Sequence, residues 1–192
     1  MINVNKINQQ TGYGAPQPDV KTQYSAIAKP YTKQGTGDMG KLIPISFEEL
    51  LPSEKMHIDH TIAIQFMPFV TNLFQQLDGE IASYFVPFRL IWEDWEKFIT
   101  GGIDGQDNTA HPTIDLKAMQ TANEGSLRGT LCDEFGLPIN NLDDNMVSAD
   151  TLPISAMYHM AYNKIYNDHI RNLDLEPDEV DPLNNNLLKA IS

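Results

Sequence analysis

The chain has 192 residues, 41% of them hydrophobic and 20% charged, and a formal net charge of −13 at pH 7. That length and composition suit one globular domain, and the acidic balance excludes a body that grips nucleic acid or an anionic membrane by its own charge. Cys132 is the only cysteine, which excludes an internal disulfide and a thiolate metal cluster and fits a reducing compartment.

From Met1 to Gly40 the residues are mainly Gln, Asn, Gly, Pro, Lys and Tyr with no helical or strand period, so residues 1–40 read as an extended N-terminal arm. The start, Met-Ile-Asn-Val-Asn-Lys, lacks the apolar core of a signal peptide, and no window reaches the roughly eighteen apolar residues of a membrane span. A soluble protein without an evident export signal is expected. Five lysines against Asp19 and Asp38 leave residues 1–41 at +3, whereas eight basic and 24 acidic side chains leave the remainder at −16.

Ordered structure is expected from Lys41. Leu42, Ile43, Ile45 and Phe47 suggest a short strand over 42–47, with Pro44 placing it at an edge or bulge, and Pro52 and Ser53 mark a turn. Met56, Ile58, Ile62, Ile64 and Phe66 share one parity, and His57, Asp59, Thr61, Ala63 and Gln65 the other. That alternation predicts a strand over 56–66 with one wet face. Residues 79–88 place apolar side chains on both parities (Ile81 and Phe85; Ala82, Tyr84, Val86 and Phe88), as in a strand covered on both sides, and so mark the expected centre of the core.

Helical spacing then takes over. Ile91, Trp92, Trp95, Phe98 and Ile99 recur at three and four residues and stop at Gly101-Gly102. Short helices are expected over 114–124 and from a Ser126 cap to Phe135, the latter stopped by Gly136 and Pro138. The longest is expected between Ile154 and Leu173, with Pro153 in its first turn, an apolar stripe of Ile154, Met157, Tyr158, Ala161, Ile165 and Ile170, and Asn163 facing away. An acidic linker, Glu176 to Asp181, follows it.

Four blocks in this order resemble the N-terminal portion of the major capsid protein of the microviruses, small icosahedral single-stranded-DNA phages, and especially its gokushovirus-like members. They are Met56 to Pro68; Leu77 to Phe98, with Val86-Pro87, Arg89 and Trp92-x-x-Trp95; Phe135-Gly136-Leu137-Pro138; and Leu152-Pro153 before Ala161-Tyr-Asn-Lys-Ile-Tyr-Asn-Asp168. The resemblance implies a mainly β fold with helical insertions, the viral jelly-roll sandwich of eight antiparallel strands. On that analogy residues 41–192 hold the first strands, at about 42–88, and a first long insertion, at about 91–175. Three strands cannot close a sandwich, so a fragment, one piece of a split subunit or a shortened product is expected. The implied function is structural: a T=1 icosahedral virion shell, assembled from copies of the subunit in the host bacterial cytoplasm around packaged single-stranded DNA, with scaffolding and DNA pilot proteins as partners. The implied core and assembly residues are Ile81, Phe85, Trp92 and Trp95. A stand-alone β-rich module that recognises a carbohydrate or protein partner is the alternative.

Chemistry beyond packing is sparse. His57, Asp59 and His60 are close in sequence, but on a strand His60 faces away from the other two. Asp104-Gly-Gln-Asp-Asn108 has oxygen donors without the ligand order of an EF-hand, and reads as a solvated turn. Cys132 has no histidine nearby in sequence and reads as a small buried side chain; His159 and His169 are separated by about 280° around a helix. Trp92, Trp95 and Phe98 follow the helical core stripe, which favours packing over stacking on bases. No catalytic motif, metal site or cofactor site is expected. The candidates for contact with single-stranded DNA are in the arm, namely Lys6, Lys21, Lys29 and Lys33 interleaved with Tyr24 and Tyr31, against an arm that reaches over a neighbouring subunit.

Overall fold

The computed structural model describes residues 25–71, 74, 76–122, 126–137, 153–181 and 188–191. Two compact units are distinguished, Met1–Thr32 and Lys33–Ser192. In the first, residues 25–32 have no regular structure and are exposed; Lys6, Lys21 and Tyr24 lie outside the described residues.

In the second unit Pro87 holds the extended backbone that leads into α1, Phe88–Ile91. Trp92 returns to an extended conformation (φ −136°, ψ 114°), and α2, Trp95–Thr100, follows. The helix expected over 91–99 is thus two short helices with Trp92 at the break. Gly101 stops α2 in the left-handed region (φ 75°), its N–H donating to the Lys97 carbonyl. A side chain there would meet the Gly105 backbone at 3.0 Å, so the turn requires glycine.

Strand β1, Thr113–Asp115, leads directly into α3, Leu116–Ala122; after α4, Leu131–Glu134, strand β2, Pro153–Ser155, leads into α5, Met157–Ile165. The two strands pair antiparallel with Ile114 opposite Ile154. Here the structure corrects two expected helix starts. Residues 113–115 and 153–155 supply each other's ladder, and Pro153 lies in the strand rather than in a helical turn. Asp115 Oδ1 then accepts from the N–H groups of Lys117 and Ala118 at 2.9 and 3.3 Å, satisfying two free donors of α3. Helix α4 starts after Thr130 rather than Ser126, and Thr130 donates its hydroxyl to the Leu127 carbonyl at 2.7 Å.

Helix α5 continues as a π-helical turn, Tyr166–Ile170, which is capped by Arg171 and ends three residues before the expected Leu173. Its buried side chains are Met157, His159, Met160, Tyr162 and Asn163, so Asn163, expected to face away, is enclosed. The helix is packed around more of its circumference than a one-sided stripe implies.

Among the described residues the core contains two clusters that share Met119 and Ile154 at their edges. One is Trp92, Ile114, Ala156, Met157 and Met160, with Phe88, Ile91 and Trp95 against it. The other is Leu116, Leu127 and Cys132, with Leu137. This corrects the expected centre at 79–88: Ile81 is 44% and Phe85 75% exposed. The runs expected as strands at 42–47, 56–66 and 79–88 have no regular structure up to Pro87, and Phe88 opens α1. Among the described residues the sheet is β1 and β2 alone, and a separate, isolated antiparallel bridge pairs Lys41 with Ala190. Alternation fixes which side chains share a face, but a strand also needs a neighbour's N–H and C=O groups.

Candidate assembly surfaces

The aromatic block forms a wedge rather than a platform. Trp92 is buried, with its ring 5.1 Å from that of Phe98, 6.1 Å from Trp95 and 5.6 Å edge-on from His111, and Phe88 meets Trp95 edge-on at 4.8 Å. These distances suit aromatic contacts, which prefer edge and offset geometry. His111 Nε2 lies 2.8 Å from Ser155 Oγ, tying the wedge to β2. Trp92 is buried and Trp95 half-buried, while the outer residues Phe98 and Ile99 remain exposed.

Lys33 is held away from solvent. Its ammonium donates to the Pro44 carbonyl at 2.6 Å and the Glu134 carbonyl at 2.9 Å, and pairs with the Glu134 carboxylate at 2.5 Å. A cation committed to three oxygen acceptors is not available to a phosphate, which removes Lys33 from the candidate DNA contacts. Beside this anchor Phe47 packs on Tyr158 and Phe135, with centroids 4.1 and 5.6 Å away, and the Tyr158 hydroxyl donates to Glu49 at 2.8 Å. Burial, then the Glu49 hydrogen bond, pushes Tyr158 up to about 12.

Tyrosines also fasten the chain behind α5. The Tyr162 hydroxyl donates to the Leu42 carbonyl at 2.8 Å and accepts from the Lys189 N–H at 2.9 Å, so one side chain holds both sides of the Lys41–Ala190 bridge. Tyr166 donates to Glu176 at 2.6 Å, and Asn167 exchanges two hydrogen bonds with the Val180 backbone at 3.0 and 3.1 Å. Arg171 donates to the Pro177 carbonyl at 3.0 Å. The acidic run 176–181, expected as a solvated linker, is exposed at 176–179 and 181, and hydrogen bonds tie it to Tyr166, Asn167 and Arg171.

The remaining polar candidates stay apart. His57 Nε2 lies 3.4 Å from Asp59 Oδ1 on the surface, and among the described residues no three of His, Cys, Asp and Glu gather to hold a metal. His169 stacks on Tyr84 at 5.0 Å, far in role from His159, which is buried against Phe135 and lies 3.6 Å from the Cys132 thiol. That last contact was not legible from sequence spacing. No helix among the described residues is long and apolar enough to cross a membrane.

The family profile described as capsid protein (F protein) matches residues 17–186. The chain belongs to that capsid family. Capsid protein VP1 of Bdellovibrio phage phiMH2K is 30% identical over 159 residues, covering 82% of this chain and 28% of that protein. Capsid protein VP1 of Chlamydia phage 1 is 26% identical over 162 residues, covering 83% and 26%, and that of Spiroplasma virus 4 is 27% identical over 155 residues, covering 80% and 26%. The chain thus spans between 26 and 28% of the length of these curated relatives. No solved structure matches it.

In this capsid-family chain the exposed large apolar side chains are concentrated where the alternating pattern lies: Met56, Ile58, Ile62, Ile64 and Phe66, then Ile81 and Phe85. A second, smaller group lies on and after α2, namely Phe98, Ile99 and Ile103. Recurrent exposed apolar side chains of this kind mark surfaces that a partner covers.

Proposed function

We propose that this chain is part of the major capsid subunit of a small icosahedral phage, with a structural rather than catalytic role in a shell around single-stranded DNA. The observation that carries the reading is that capsid-family membership coincides with runs at 56–66 and 79–87 that expose large apolar side chains and have no regular structure of their own. Covering such side chains contributes about 25 cal/mol per Å² of apolar surface removed from water, and free strand edges are templates for pairing. In a jelly roll these runs would be paired strands, completed by further polypeptide of the same subunit or of a neighbour, and residues 91–175 would form a helical insertion at subunit contacts. Copies of the subunit would close a T=1 shell in the host cytoplasm with scaffolding and DNA pilot proteins.

Ile81 and Phe85 are then assembly residues rather than core residues of this chain. Phe85→Asp distinguishes the two roles. Placed in the full subunit, it should leave the Trp92 environment intact by fluorescence and remove closed particles from electron micrographs, because assembly would bury an unpaired charge. Normal particles from the variant would overturn the placement. Peptides of this chain absent from the dominant shell protein of purified virions would overturn the function.

A further inference from the structure

Three helices bring soft donor atoms to one buried point. Met119 on α3, Cys132 on α4 and His159 on α5 converge, with the Cys132 sulfur 3.6 Å from His159 Nε2 and 3.9 Å from Met119 Sδ. Cys132 and His159 are enclosed, and Leu116 and Leu127 complete the cluster around the sulfur.

Those separations suit a shared ion. A metal held by sulfur at about 2.3 Å and by an imidazole nitrogen at about 2.0 Å keeps its ligand atoms about 3.5–4.0 Å apart in tetrahedral or trigonal geometry. The donor set decides which ion. Thiolate and thioether sulfur select monovalent copper, and among the described residues no third His, Cys, Asp or Glu completes a set for a harder divalent ion. Charge gives the same answer. One thiolate cancels one copper(I), whereas a divalent ion would leave a net positive charge enclosed beside Leu116 and Leu127, which burial penalises.

We propose that Met119, Cys132 and His159 form a binding site for one copper(I) ion. On binding, the Cys132 S–H bond breaks, its proton leaves to solvent and the sulfur–copper bond forms; copper stays monovalent, so no electron is transferred. The ion takes the place of the hydrogen between Sγ and Nε2, so the site requires no donor that is otherwise idle. Because the thiol and the ring are enclosed, loading accompanies folding.

The test refolds the full chain from urea under argon with ascorbate, supplies copper(I) as its bicinchoninate complex, and reads copper retained per chain, the copper K-edge spectrum and the thermal midpoint. One copper per chain is expected, in a shell of nitrogen and two sulfurs, with a raised midpoint because the ion favours the folded state. Met119→Leu conserves side-chain volume, so it should keep the native tryptophan fluorescence, yet bind copper at least about tenfold more weakly. Cys132→Ala should retain none in this shell, and zinc(II) should not compete. No copper retained by the refolded chain, retention unchanged in Cys132→Ala through exposed methionines and histidines, a shell of nitrogen and oxygen alone, or displacement by equimolar zinc(II) would each overturn the inference.

Discussion

The Cys132 thiol and the His159 ring, 27 positions apart in the chain, lie 3.6 Å apart (Sγ to Nε2) with 0% and 1% exposure. Helices α4 and α5 bring them together, the Phe135 ring packs edge-on against the imidazole at 5.0 Å, and Met119 Sδ lies 3.9 Å from the sulfur. In an open cleft a thiol beside an imidazole would suggest a nucleophile. Here no substrate has access, and the pair joins α4 and α5.

Native Cys132 should therefore resist thiol reagents, with labelling rates that follow unfolding as denaturant rises. His159→Ala should destabilise the chain by about 2–4 kcal/mol, combining a cavity with the loss of a buried polar contact. Fast stoichiometric labelling without denaturant would refute the enclosed site.

Trp92→Ala should cost about 3–5 kcal/mol, because the ring is buried among Phe98, Trp95, His111 and α5, whereas Phe98→Ala at the exposed rim should cost less than about half as much. Urea unfolding of the two variants gives the comparison.

The Lys33–Glu134 pair is mostly enclosed. Removing either partner strands the other, so Lys33→Ala and Glu134→Ala should each cost about 3 kcal/mol, and the double variant less than the sum. Strict additivity in a double-mutant cycle would show that the pair is uncoupled.

Alkaline pH should unfold the chain through its C-terminal tyrosines. Burial, the largest cause in each, holds Tyr158, Tyr162 and Tyr166 at about 12, against 10.0 ordinarily. The folded state thus keeps these protons more tightly, so its stabilisation is complete below about pH 10 and is lost as pH rises through about 12. Phenolate absorbance at 295 nm should show late-titrating tyrosines that normalise in denaturant.

Gly101→Ala should shift the unfolding midpoint by the equivalent of about 1–2 kcal/mol, given the left-handed backbone and the 3.0 Å approach of Gly105. Calorimetry of the variant would reveal it.

Local rules were readable where a few neighbouring residues suffice. The stop at Gly101, the turn at Gly136, the packed role of Trp92 and Trp95 and the helix through Met157–Ile165 all follow from spacing and from the freedom of glycine, and the ordered blocks from Met56 to Asp168 were enough to identify the capsid family. Tertiary structure alone decided that 113–115 and 153–155 pair as strands, that Lys33 is held by Glu134, that Cys132 meets His159, and that the core lies on Trp92 and α5 while Ile81 and Phe85 face outward. The physical reason is range. Periodicity along a chain states which side chains share a face, but a ladder partner, an acceptor for a buried cation and a cover for an apolar surface are supplied by residues distant in sequence, and no local pattern specifies which of them arrive.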